Sequence, residues 1–186
     1  MKDYANTIFT KGDLRRARMN DYPNIIFTKG DLIRLAKDGE FDFMFHGANC
    51  QCTMGSGIAL QVKNELPALY QVDQETRKGD RGKLGTMSIV KIGDCIYGNA
   101  YTQYDYNRSG EYWTDRFEYK AFDEILFTLH RMVVKFDKKM RFGLPMIGMG
   151  RAGGNSEKIL GAIDRFAEVV YNFNGSTTTI VEYQSK

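Results

Sequence analysis

The most constraining stretch of the chain runs from Phe41 to Leu66, where an apolar run empties into a glycine-rich polar turn and a new periodicity begins. Phe41, Phe43, Met44 and Phe45 read as a buried strand. The turn spans His46-Gly47-Ala48-Asn49-Cys50-Gln51-Cys52-Thr53-Met54-Gly55-Ser56-Gly57, and Ile58, Ala59, Val62 and Leu66 then recur at helical spacing. A helix start presents unpaired backbone N–H groups at the positive end of the helix dipole, and glycines let an anion approach them. Gly55, Ser56, Gly57 and Ile58 therefore outline a phosphate cradle.

A second loop of the same kind, Leu144 to Asn155, again lies between an apolar strand-like run and a periodic helix. Its residues Gly148, Met149, Gly150 and Arg151 would offer backbone N–H groups to a diphosphate, with glycine giving close approach. Arg151 either pairs with phosphate or covers surface. Two loops of this kind are expected to face one ligand from two sides.

The rest of the chain alternates strand and helix patterns. Ile25, Ile26 and Phe27 make a short strand, a helical segment runs from Pro67 to about Lys78, and Met87–Val90 and Cys95–Thr102 form a hairpin around Lys91-Ile92-Gly93-Asp94. Phe122, Ile125, Leu126, Leu129, Met132, Val133 and Phe136 keep helical spacing. Phe142–Met146 is the next strand, a helix capped by Asn155 or Ser156 buries Ile159, Leu160, Ile163, Phe166, Ala167 and Val170, and Thr177–Tyr183 closes the pattern. The expected fold is α/β, a three-layer α/β/α sandwich with a central mixed sheet and the ligand at the C-terminal ends of the central strands. A chain of 186 residues, 42% of them hydrophobic, suits one buried domain better than two.

Met1–Arg16 and Met19–Arg34 are near-copies, and only the second is continuous with the rest. Residues 1–18 are therefore expected to be a dispensable extension and 19–186 the domain. Deleting the extension should leave ligand affinity unchanged in a calorimetric titration, and a loss of affinity would refute that division. The formal charge of +3 sits in the same place: five basic and two acidic residues fall within 1–18, leaving 21 of each sign elsewhere. A nucleic-acid footprint needs a basic patch on the folded body, so a nucleic-acid partner is not expected. No run reaches the ~18 apolar residues of a membrane span, and the three cysteines, Cys50, Cys52 and Cys95, form no disulfide framework. A soluble, cytoplasmic monomer is expected. One His and a Cys-x-Cys fall short of a four-ligand metal set, so no metal or cofactor is expected, and Cys50 and Cys52 read as small packing residues.

The wording of both loops, with Lys29-Gly30-Asp31-Leu32 upstream, resembles the macro domains, the family that binds ADP-ribose and its derivatives. His46 to Ala59 follow without a gap the first-loop pattern of the branch holding ADP-ribose 1''-phosphate phosphatases and terminal ADP-ribose-glutamate hydrolases, and the resemblance runs from about Ile25 to Tyr183. It implies ADP-ribose, ADP-ribose 1''-phosphate or ADP-ribosylated proteins as partners, with phosphate release from ADP-ribose 1''-phosphate as the expected reaction. A non-catalytic reader, or a hydrolase acting on modified acidic side chains, is the alternative.

The resemblance also implies residue roles. Asp31, an N-cap by position, would accept from the adenine amino group beside Leu32, with Tyr183 flanking the ring. Asn49 would meet the distal ribose hydroxyls, or serve only as a turn residue. His46 is either a core histidine or a proton carrier near that ribose, and Asp105 either a base, a ribose contact or part of an aromatic surface loop. Gln103 and Ala152 stand where the resemblance gives the glutamate hydrolases Lys and Asp, and since neither can form a Schiff-type adduct or act as a base, the resemblance does not carry that particular mechanism over to this chain.

Overall fold

The computed structural model describes residues 21–107 and 115–184; the duplicated N-terminal segment lies outside them. Six strands form one sheet in the order β1-β6-β5-β2-β4-β3. They are β1 (Ile25–Gly30), β2 (Phe43–Asn49), β3 (Met87–Ile92), β4 (Cys95–Gln103), β5 (Arg141–Pro145) and β6 (Thr177–Tyr183). All neighbours pair parallel except β3 with β4, a hairpin whose tight turn places Gly93 at φ +60°. The sheet is therefore mixed, as expected.

Helices cover both faces. On one lie α1 (Leu32–Lys37), α2 (Gly57–Glu65) and α3 (Pro67–Gln74); on the other, α4 (Tyr119–Phe136) and α5 (Ser156–Asn174). The alternation of β2 shows why. Phe43 and Phe45 point into the core shared with α4 and α5, whereas Met44 packs with α1, α2 and α3. Burying the two large side chains Phe142 and Leu144 of β5 extends the first core, and Val181 of β6 joins the second. Among the described residues no helix is long and apolar enough to cross a membrane.

Local signals set the boundaries that matter for the site. Asp31 caps α1, its Oδ1 accepting from Ile33 N at 3.0 Å and Arg34 N at 3.1 Å. Asn155 caps α5 through Lys158 N, and Gly175 ends that helix at φ +76°. The α3 helix stops at Gln74, four residues short of the expected end at Lys78, because the chain turns back at Gly79, whose N–H donates to the Cys50 carbonyl at 2.8 Å.

Candidate functional site

Both glycine loops open at the same end of the sheet. Gly55, Ser56, Gly57 and Ile58 from the first and Gly148, Gly150 and Arg151 from the second line a single cleft of about 470 Å³. Gly47 and Asn49, at the end of β2, are also in its wall. A second pocket of about 300 Å³ shares Gly57, Ile58, Pro145 and Met146 with the first and continues over Leu32, Val181 and Tyr183. Together they form one elongated groove with a polar cleft at one end and a more apolar slot at the other.

The start of α2 carries no side-chain cap. Ser56 holds the N-cap position in extended backbone, but its side chain makes no capping bond, and the first turn carries no acid. The leading amides of α2 thus keep their hydrogen-bonding capacity for something in the cleft. Across the groove the second loop is held in shape by its own backbone: Gly154 N donates to Gly148 O at 2.9 Å and Gly153 N to Gly150 O at 3.0 Å. Gly148 adopts φ +72°, and a Cβ there would run into the Phe117 ring. Among the described residues, the only formally charged side chain lining either part of the groove is Arg151.

Asn49 lies in the wall but is largely occupied. Its Oδ1 accepts from Gln51 N at 3.0 Å and Thr53 N at 3.2 Å, and its Nδ2 donates to Thr53 O at 2.7 Å, so the amide closes the first loop on itself. Asp31 stands next to the apolar slot, between the lining residues Gly30 and Leu32, with one carboxylate oxygen committed to the α1 cap. Tyr183, 60% exposed, lines that slot. Met149 turns from the groove and packs against the core instead.

Neither expected proton carrier reaches the groove. His46 is fully buried on the opposite face of β2 from Gly47 and Asn49, because strand residues alternate sides. Its Nε2 lies 2.8 Å from Asn99 Oδ1 and its Nδ1 3.1 Å from the Gly47 carbonyl oxygen, and the Asn99 amide donates to the Leu69 carbonyl and the Ser88 hydroxyl. His46 is thus buried in the core and does not line the cleft. Asp105 is not among the residues that line the cleft: its Oδ1 accepts from Tyr106 N at 2.9 Å, and the lining residues of this segment are Tyr106 and Asn107.

The burial of His46 has a pH consequence. Desolvation holds its ring below the ordinary value of 6.5, against the Asn99 bond, which favours the charged form. The unfolded chain takes up a proton near the ordinary value and the folded chain does not, so stability is full above that pH and falls as pH drops towards the folded value. The unfolding midpoint in urea should therefore decline between about pH 7 and about pH 5 more steeply for wild type than for His46→Gln. Equal slopes would contradict the assignment.

Sequence reasoning missed the brace behind the second loop. Asn107 Nδ2 donates to Arg151 O at 2.9 Å, Arg116 Nε to Asn107 Oδ1 at 3.0 Å, and Arg116 N to Ala152 O at 2.8 Å. Asn107 and Arg116 lie 44 and 36 residues from their partners Arg151 and Ala152 in the second loop, and no local pattern marks them. Gln103 and Ala152 both line the cleft.

No family model matches the chain. A protein of Enterobacteria phage T4, described as an uncharacterized 17.5 kDa protein in the tk–vs intergenic region, is 31% identical over 127 residues, which cover 66% of this chain and 77% of that one. The chain belongs to that phage protein's family. Solved structures with a similar fold include the macrodomain of Mycobacterium tuberculosis DarG, at TM-score 0.59 and 21% identity over 87% of this chain and 98% of that one. Thermosipho africanus DarTG in complex with ADP-ribose gives TM-score 0.59 and 17% identity over 87% of this chain and 42% of that one. The fold of this family member is therefore the macrodomain fold, and its groove sits at the C-terminal ends of β2, β4 and β5.

Proposed function

We propose that the protein binds ADP-ribose or a derivative that carries the ADP-ribosyl group. The observation that carries this reading is that two glycine loops, more than eighty residues apart in sequence, line one cleft that continues into an apolar slot. The chemistry of the ligand follows the groove. A flat apolar ring suits the slot of Leu32, Ile58, Val181 and Tyr183, and Asp31, beside that slot in the chain, would accept from an exocyclic amine. A diphosphate suits the start of α2 facing Gly148, Gly150 and Arg151. A polyol suits the neutral polar end of Asn49, Thr53, Gln103 and Asn107. The solved relative in fold that holds ADP-ribose supports the same ligand.

Retention of the ligand is the reading favoured here, since among the described residues no carboxylate, imidazole, amine or thiol lines the groove. The match of His46–Ala59 to the phosphatase pattern favours a second reading, hydrolysis of ADP-ribose 1''-phosphate, with His46 acting only as a core residue. Titration calorimetry tests the first: saturable one-to-one binding of ADP-ribose, weaker binding of AMP, and no salt-sensitive binding of single-stranded RNA. Absence of ADP-ribose binding would overturn it. Inorganic phosphate released from ADP-ribose 1''-phosphate above the protein-free rate would move the conclusion to the second reading.

A further inference from the structure

Behind the first glycine loop, on the face away from the groove, lies a buried polar cluster that the ligand reading does not use. Lys83, in a 3₁₀ turn at Arg81–Lys83, has a side chain only 8% exposed and is paired with Asp73, 1% exposed, at 3.7 Å. Its Nζ sits 4.2 Å from the centre of the Tyr101 ring and bonds to the Thr76 hydroxyl. The Tyr101 hydroxyl donates to Asp73 Oδ1 at 2.8 Å. Into this cluster the first loop inserts Cys52, whose Sγ lies 3.1 Å from Lys83 Nζ. Cys52 holds φ +53°, in the left-handed region that a side-chain-bearing residue seldom adopts. That conformation turns its sulfur inward to the ammonium while its neighbours Gln51 and Thr53 close on Asn49.

A thiol and an amine at this distance can be joined by a mild two-electron oxidation. We propose that Cys52 and Lys83 form a peroxide-driven covalent modification site, in which a sulfur–nitrogen bond ties the first glycine loop to the 3₁₀ turn. The oxidant is hydrogen peroxide. In its thiolate form the Cys52 sulfur attacks one peroxide oxygen; the S–O bond forms and the O–O bond breaks, so that sulfur is oxidised and peroxide reduced. The leaving hydroxide takes a proton from the Lys83 ammonium and departs as water, which leaves a sulfenic acid beside a neutral amine. The amine lone pair then attacks sulfur, the S–N bond forms, the S–OH bond breaks, and a second water leaves with a proton from nitrogen. The two steps together consume one peroxide and remove two hydrogens from the protein. The same ammonium that supplies the first proton becomes the second nucleophile.

The neighbouring thiols lack this arrangement. Burial pushes Cys50 up to about 11, which keeps it a thiol, and Cys95, the first residue of β4, is buried in the core with its own thiol raised by burial. Cys52 is the one of the three that is not fully buried.

The test needs no ligand, so its outcome is separate from that of the binding reading. The full chain is treated with a modest excess of hydrogen peroxide, and intact mass and tryptic peptides are measured before and after dithiothreitol. The expected result is a mass lower by two hydrogens, a peptide pair joined through Cys52 and Lys83 with no cleavage after Lys83, and full reversal by the thiol. Cys50→Ser should retain the product and Cys52→Ser should lose it. A linkage between Cys50 and Cys52, or oxygen added at Cys52 with Lys83 still cleavable, would overturn the proposal. Because the peptide map of wild type decides by itself, a variant that fails to fold leaves the test intact.

Discussion

Lys83→Met is expected to be the most destabilising single change in the half of the molecule behind the first loop, lowering the unfolding free energy by about 3 kcal/mol or more. The cause is the carboxylate it leaves behind. Asp73 is 1% exposed and would keep the Tyr101 hydroxyl and a bond from Gln74 Nε2 at 3.3 Å, but it would lose the only cation within ion-pair distance among the described residues. An uncompensated buried charge costs far more than the net worth of the pair that held it. Adding Asp73→Asn to Lys83→Met should therefore recover much of the loss, which a double-variant cycle in urea would read directly. A loss below about 1 kcal/mol for Lys83→Met would show that water reaches the cluster.

Gly148→Ala is the second large effect, and it acts on the groove. The position needs φ +72°, and the added Cβ would meet the Phe117 ring and come within 3.1 Å of Ile159 Cδ1. Left-handed backbone and overpacking together predict about 2 to 4 kcal/mol of destabilisation. Since Phe117 and Ile159 belong to the core, the loop must yield rather than its neighbours, and the amides of Gly150 and Arg151 move with it. ADP-ribose affinity should fall by about tenfold or more, equivalent to about 1.4 kcal/mol. Gly150→Ala supplies the control, because a Cβ there meets nothing within 4 Å and its unfolding midpoint should stay near wild type. Equal stability of the two variants would contradict the account of the second loop.

How far the sequence carries the reader depends on whether the signal is local. The order of strands and helices was legible because period-2 and period-3.6 patterns are written within each segment, and Thr177–Tyr183 is a strand to the residue. The two loops were legible because glycine, strand end and helix start are adjacent in the chain. The role of His46 was not. Residues 43–48 are apolar enough on both faces that their alternation leaves open which face ends in the cleft, and only the packing of Met44 and His46 towards α1, α2 and α3 decides it. The brace of Asn107 and Arg116, and the meeting of Cys52 with Lys83, join segments that are distant in sequence and carry no mark of one another.

The central claim is that both loops hold one ligand, and the direct measurement is a ¹H–¹⁵N correlation spectrum of the chain titrated with ADP-ribose. The account predicts that the amides of Gly55 and Gly57 and those of Gly148 and Gly150 shift together along one saturation curve, while that of Gly93, at the far turn of the hairpin, stays in place. Movement of one loop alone, or separate curves for the two, would contradict it.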